Sequence, residues 1–233
     1  MNIQIAILAG GKATRLGSLT RSRPKSLVMI DTKPFLEYQI LMLKKSGINE
    51  IVLCVGLFAQ QIIDYFGDGA DYGVHITYSI EHKPLGTAGA LKNAEYRLDE
   101  IFLTLYGDSF LFLNYEEILS FFMRSQKLGL MTVFENGGLY DRSNTRIDGV
   151  GMVVEYNKHP ETGFKYIDYG LNIFQKKVLE MIPGGEYYTL EQVFNKLIDM
   201  RQLISFEVKE RFYEIGSLTG LAEFQKYLLS VKR

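Results

Sequence analysis

The sequence predicts an α/β chain: a Rossmann-like, three-layer α/β/α arrangement around a mixed, mainly parallel central sheet. Three observations carry this prediction. Short apolar runs alternate with helical patterns through the first half of the 233 residues. The connections between them are short, as expected when parallel strands are joined through crossover helices. The second half turns strand-rich with no linker, low-complexity tract or repeat, so residues 1–233 read as a single domain.

The elements follow in order. Ile3–Ala9 is a continuous apolar run that ends in Gly10-Gly11, a buried strand passing into a loop. Pro34 opens a helix whose apolar positions are Phe35, Leu36, Ile40, Leu41 and Leu43, and Gly47 closes it. Ile51–Val55 is a second buried strand. Ala59–Phe66 is a short helix stopped by Gly67-Asp68-Gly69, and Val74–Ile80 is a third strand. Thr87–Leu98 is helical, Ile101–Tyr106 is a fourth strand ending at Gly107-Asp108, and Tyr115–Lys127 is a further helix. Leu130–Phe134, Gly151–Tyr156 and Leu171–Phe174 read as strands. The polar stretch Tyr140–Asn144 reads as a loop. Helices over Thr189–Met200 and Thr219–Leu229 flank a last strand pair, Leu203–Val208 and Arg211–Ile215.

Composition narrows the function classes. With 47% hydrophobic residues the chain is rich enough to bury a sizeable core. A net charge of −1 with interspersed signs gives no basic patch for nucleic acid. The longest apolar run falls short of the roughly 20 residues a membrane-spanning helix needs. Cys54 is the single cysteine, so no internal disulfide forms, and the three histidines are scattered rather than clustered for zinc. Met1–Ala9 lacks a basic leader region, which points to the cytoplasm.

In an open parallel sheet, ligands bind beyond the carboxyl ends of the strands. Leu8 to Leu16 occupies that place after the first strand, and its glycines let backbone N–H groups approach phosphate closely. It is not a Walker A loop: Ala6 stands where that loop needs its first glycine, and Ala13 where it needs Ser or Thr. Nor does Gly10 to Arg15 match G-x-G-x-x-G.

Leu8-Ala9-Gly10-Gly11-x-x-Thr14-Arg15-Leu16, followed by Pro24-Lys25-Ser26-Leu27, resembles the signature of the sugar-phosphate nucleotidylyltransferases. The likeness continues through Pro84-Leu85-Gly86-Thr87-Ala88-Gly89-Ala90 and Tyr106-Gly107-Asp108, and ends in Tyr213-Glu214-Ile215-Gly216-Ser217. The short members resemble this chain most, those like heptose 1-phosphate guanylyltransferase or N-acetylmuramate 1-phosphate uridylyltransferase. The resemblance implies a glycosyltransferase-A-like nucleotidylyltransferase fold. Residues 1–110 would then bind nucleotide and residues 111–233 sugar phosphate, without the left-handed β-helix of longer members.

It also implies roles. Arg15 and Lys25 would be the catalytic cations, drawing charge off the reacting phosphates. Leu8, Ala9, Gly10, Gly11, Thr14, Glu81, Gly86 and Thr87 would hold the nucleotide. Lys158, Asp168 and Tyr169 would hold the sugar phosphate, with Asp168 accepting from hydroxyls and Tyr169 packing a ring face. Asp108 and Glu214 would bind Mg²⁺, a hard cation that prefers oxygen ligands. The partners would be a nucleoside triphosphate and a sugar 1-phosphate, with no nucleic acid and no membrane, in a monomer or homodimer. Glu81 stands where related enzymes carry glutamine. A carboxylate only accepts hydrogen bonds, which suits the N1–H and N2–H₂ edge of guanine and favours GTP.

Three alternatives remain open on the sequence. One is a cytidylyl- or uridylyltransferase acting on another phosphorylated acceptor. A second is a glycosyltransferase, although Gly107-Asp108-Ser109 lacks the Asp-x-Asp pattern of that class. The third is a non-catalytic paralogue that binds nucleotide sugar, since Glu214 replaces the family's usual aspartate.

Overall fold

The computed structural model describes residues 3–11, 20, 22–158 and 163–231. Its strands are β1 (Gln4–Leu8), β2 (Met29–Ile30), β3 (Lys33–Pro34), β4 (Glu50–Val55), β5 (His75–Ile80), β6 (Ile101–Tyr106), β7 (Ser109–Phe110), β8 (Gly129–Glu135), β9 (Thr145–Ile147), β10 (Val153–Tyr156), β11 (Tyr166–Gln175), β12 (Leu203–Val208) and β13 (Tyr213–Glu214). Its α-helices are α1 (Phe35–Lys45), α2 (Ala59–Phe66), α3 (Gly86–Asn93), α4 (Tyr115–Ser125), α5 (Leu190–Asp199) and α6 (Leu218–Val231).

The central sheet runs β5-β4-β1-β6-β11-β8-β12. Strand β1 lies parallel to β4 and β6, β4 parallel to β5, and β12 parallel to β8. Within this run β11 alone is reversed, against β6 on one side and β8 on the other, and the short strands β9 and β10 extend the same sheet antiparallel beside it. The expected mixed, mainly parallel sheet is therefore present. Alternation along the strands sends side chains to two separate cores. Ile5, Ile7, Leu53 and Leu103 meet α1, α2 and α4 through Leu36, Ile40, Ile62 and Phe122. Ala6, Val52 and Phe102 meet α3 and α5 through Ala88, Leu91, Val193 and Phe194 on the other face. A third cluster packs Phe35 and Phe110 under Phe224 of α6.

Local signals explain several boundaries. Asn114 caps α4 by accepting from the Glu117 N–H. Thr189 and Gln192 form a reciprocal capping box at the start of α5. Gly47, in the left-handed region at φ 79°, ends the turn after α1.

Other details depart from the expectations. Residues 203–208 and 211–215 do not pair with one another. β12 joins β8, whereas β13 pairs antiparallel with β7, matching Tyr213 with Phe110 and Glu214 with Ser109. The stretch expected as one helix, Thr87–Leu98, divides into α3 and a 3₁₀ turn at Glu95–Arg97. β11 is ten residues long rather than four, and the small strand β9 follows directly on the polar loop Tyr140–Asn144. No described helix is long and apolar enough to cross a membrane.

Candidate functional site

The carboxyl ends of β1, β4, β5 and β6 open into one cavity of about 920 Å³. Ten of the residues singled out in the sequence line it: Leu8, Ala9, Gly10, Gly11, Lys25, Glu81, Gly86, Thr87, Asp108 and Lys158. Thr14 and Arg15 lie outside the described residues.

The glycine loop leaves β1 with the Ala9 N–H bonded to the Cys54 carbonyl, 2.8 Å away. Against it runs the turn between β6 and β7. The Gly107 N–H donates to the Leu8 carbonyl at 3.1 Å, so the loop and the turn bearing Asp108 are tied through one strand pair. Glycine is needed here for space. A Cβ on Gly107 would stand 2.7 Å from the Leu8 carbonyl oxygen and 3.0 Å from the Ala9 Cα.

At the floor of the cavity the Lys25 ammonium donates to Asp108 Oδ2 at 2.6 Å. Glu214 approaches from β13, whose pairing with β7 sets it across from Ser109. Its carboxylate accepts from the Gly216 N–H, and from the Ser217 hydroxyl at 2.7 Å. All three charged groups meet over Gly216. A Cβ there would touch Glu214 Oε2, and would lie 3.1 Å from Lys25 Nζ and 3.6 Å from Asp108 Oδ2. The bare Cα thus leaves a cradle bordered by two carboxylates. Among the described residues no group of three metal-ligating side chains occurs. Two protein carboxylates, with the remaining positions open to phosphate oxygens and water, is the donor set a magnesium–triphosphate complex requires. The residues present fit such an ion.

Glu81 stands at the other end, just past β5. Its carboxylate covers the Cα atoms of Gly10 and Gly56, where an added Cβ would be 2.8 Å from Oε1 in either case. Among the described residues its one protein donor is the Leu85 N–H, at 3.2 Å. Among the described residues it forms no ion pair. Burial raises its pKa, and the Leu85 N–H opposes that shift. Glu81 therefore presents an under-satisfied acceptor to whatever fills the cavity.

Gly86 and Thr87 line the wall, and the N–H groups that follow them in α3 are already engaged. The Ala88 and Gly89 N–H groups of α3 both donate to the Tyr188 carbonyl at 3.0 Å. The Thr87 hydroxyl accepts from the Leu190 N–H at 2.8 Å. These groups fasten the 186–190 segment to α3, and Tyr187, 65% exposed, is thereby set on the cavity wall.

On the sugar side the structure separates the two neighbours. Asp168 accepts from the Tyr106 hydroxyl at 3.0 Å and from the Gly170 N–H at 3.0 Å, and Tyr106 lines the cavity. Burial lifts the Asp168 pKa to about 6, against the opposing pull of the Gly170 N–H, the Tyr106 hydroxyl and the Lys158 charge. Tyr169 points the opposite way. It is 1% exposed and packs edge-on against Phe212, with ring centroids 5.8 Å apart. Successive strand residues face opposite sides of a sheet, so the ring expected against a sugar is a core ring instead. The polar loop at Tyr140–Asn144 braces this strand: Asn144 Oδ1 accepts from the Asp168 N–H at 2.8 Å.

The sequence reading passed over Gly56 and Tyr187, and gave Tyr106 no role beyond its place in the Tyr106-Gly107-Asp108 motif. Gly56 had a usable signal, a glycine at the carboxyl end of a buried strand.

Comparison with known proteins agrees with this geometry. A family model described as nucleotidyl transferase matches residues 5–230. A D-glycero-α-D-manno-heptose 1-phosphate guanylyltransferase of Aneurinibacillus thermoaerophilus is 31% identical over 97% of this chain and 98% of its own length. Its namesake in Campylobacter jejuni is 32% identical over 88% of this chain and 83% of its own. The crystal structure of HddC from Yersinia pseudotuberculosis complexed with GMP-PN superposes with a TM-score of 0.81 at 25% identity. That match covers 97% of this chain and 99% of HddC.

Proposed function

Because this chain belongs to the nucleotidyl transferase family, we propose that it transfers a nucleotide from a nucleoside triphosphate to a sugar 1-phosphate, with GTP and a heptose or hexose 1-phosphate as the favoured pair. One observation carries the reading. The glycine loop, the Lys25–Asp108 pair and Glu81, an acceptor held by the Leu85 N–H, border a single cavity of about 920 Å³. The similarity to proteins named guanylyltransferases, and to HddC complexed with GMP-PN, supports guanine as the base.

In this reading an oxygen of the sugar phosphate attacks the α-phosphorus in line. The bond from the α-phosphorus to the bridging oxygen breaks, and pyrophosphate leaves. The attacking oxygen is already anionic, so no general base is required, and the protein's work is positioning and charge neutralisation. Lys25 neutralises the reacting phosphates, together with Arg15 on the β- and γ-phosphates. Asp108 and Glu214 would hold Mg²⁺, which supplies further neutralisation of the triphosphate when bound. Lys158 holds the sugar phosphate and Asp168 accepts from sugar hydroxyls. Glu81 accepts from guanine N1–H and N2–H₂, an edge that uracil and cytosine lack.

Pyrophosphate release, measured for GTP, UTP, CTP and dTTP against several heptose and hexose 1-phosphates with Mg²⁺, tests the proposal. At least about tenfold higher kcat/KM with GTP is expected from one lost bond to a charged acceptor. Turnover confined to CTP with a non-sugar phosphate, or nucleotide-sugar binding without any turnover, overturns it.

A further inference from the structure

We propose that Gln39, a helix residue outside the cavity, is a positioning residue for the carboxylate of Asp108, fixing it for metal by holding the two carbonyls that flank its turn. This rests on the reading of Asp108 as a metal ligand. Gln39 lies in α1 among apolar neighbours and is 2% exposed. Its carboxamide nitrogen donates to the Tyr106 carbonyl at 3.0 Å and to the Ser109 carbonyl at 2.6 Å. One planar amide therefore grips the last residue of β6 and the first of β7, with Gly107 and Asp108 between them.

The rest of the turn is held by backbone. The Gly107 N–H reaches the Leu8 carbonyl, and the Ile215 N–H donates to the Asp108 carbonyl at 2.9 Å. Gln39 thus supplies the bonds that set the peptide planes before Gly107 and after Ser109. Those planes bracket the two peptides on either side of the Asp108 Cα, and so limit where its Cα–Cβ vector points. Mg²⁺ tolerates little departure from octahedral geometry, so a small rotation of that vector is felt in affinity. The Gln39 carbonyl oxygen is buried with no partner among the described residues. Burying an unpaired acceptor costs stability, so the amide is poorly explained as packing. Its donors are what the position requires.

The test is a titration of the full chain with Mn²⁺ in the presence of a non-hydrolysable GTP analogue, read by electron paramagnetic resonance. In Gln39→Met, which keeps the volume and loses both donors, Mn²⁺ affinity is expected to fall about 10- to 100-fold. Analogue binding in EDTA is expected to stay at the wild-type level. Wild-type Mn²⁺ affinity with a lowered Tm overturns the proposal, because that is the pattern of a packing residue. Gln39→Asn keeps the amide but is one methylene too short to reach both carbonyls. It is read in the same way and decides the matter if Q39M does not fold. Asp108→Asn separates the two readings. If D108N loses Mn²⁺ while Q39M and Q39N keep it, the role of Gln39 alone fails; if D108N keeps it, the metal role of Asp108 is refuted and the proposal falls with it.

Discussion

Replacing Gly107 by alanine perturbs the site through one methyl group. The backbone of Gly107 lies outside the left-handed region, so alanine is not disfavoured by conformation. The obstacle is what the new Cβ meets: the Leu8 oxygen at 2.7 Å, the Ala9 Cα at 3.0 Å and the Leu8 carbonyl carbon at 3.2 Å. All three are backbone atoms of the strand end and glycine loop, so no rotamer change relieves the contact. Restoring ordinary contact to the oxygen requires the ends of β1 and β6 to part by about 0.7 Å, a strain of the overpacking kind that costs about 1–3 kcal/mol. The same shift moves Asp108 away from Gly10 and Gly11. Since a misplacement of about 1 Å costs about 100-fold in rate, kcat should fall about 10- to 100-fold. Urea unfolding gives the first quantity and steady-state pyrophosphate release the second. Gly11→Ala is the control, because a Cβ there meets nothing within 4 Å among the described residues and stability should be unchanged. A Gly107→Ala enzyme within twofold of wild type in kcat, and equally stable, would refute the reasoning.

The other side chains of the cavity give sharper chemical tests. Glu81→Gln places an amide against guanine N1–H and N2–H₂, and kcat/KM for GTP should drop about 10- to 100-fold relative to that for UTP, as measured by competing the two triphosphates. Lys25→Met removes a partner from an Asp108 side chain that is 37% exposed, so Tm should hardly move. Transition-state charge loses a cation, however, and kcat should fall by about two to three orders of magnitude in the same assay. For Asp168 the folded pKa of about 6 lies above the ordinary carboxyl value of 3.8, so the folded chain keeps a proton that the unfolded chain has released. Stability should therefore decline as pH rises from about 4 to about 6 and level off above that, by at most about 3 kcal/mol. Chemical denaturation across this range should show the slope in wild type and a flatter profile in Asp168→Asn. Equal slopes would show that burial does not strain this carboxyl.

The parts of the fold that local chemistry determines were legible. Buried parallel strands are covered on both faces, so they read as unbroken apolar runs, and β1, β4 and β6 stood out for that reason. The β13–β7 pairing did not. Two-residue strands carry no periodicity, and this pair is fixed by the cluster of Phe110, Ile215 and Phe224 beneath α6. The site divides in the same way. The glycine loop and Asp108 could be placed because they follow strands whose ends converge in this architecture, whereas Lys25, in a 3₁₀ turn after no strand, was found only through the family resemblance. Tyr169 could have been set aside by the rule that places Asp168 and its neighbour on opposite faces of one strand. Thr87 was legible as a cavity residue, but not as the acceptor for Leu190, a partner 103 residues away. Gln39 left a faint mark, an amide on the apolar stripe of Leu36, Ile40 and Leu43, and only the tertiary structure shows which carbonyls it holds.

The proposed reaction is attack at the α-phosphorus by a sugar phosphate within one cavity. Turnover of GTP carrying a radioactive α-phosphate, run beside GTP labelled at the γ-phosphate, reports that bond cleavage directly. The α-label should appear in a GDP-sugar and the γ-label in pyrophosphate, in equal amounts and only with a divalent cation. A γ-label on the sugar, or an α-label recovered as free GMP or GDP, would contradict it.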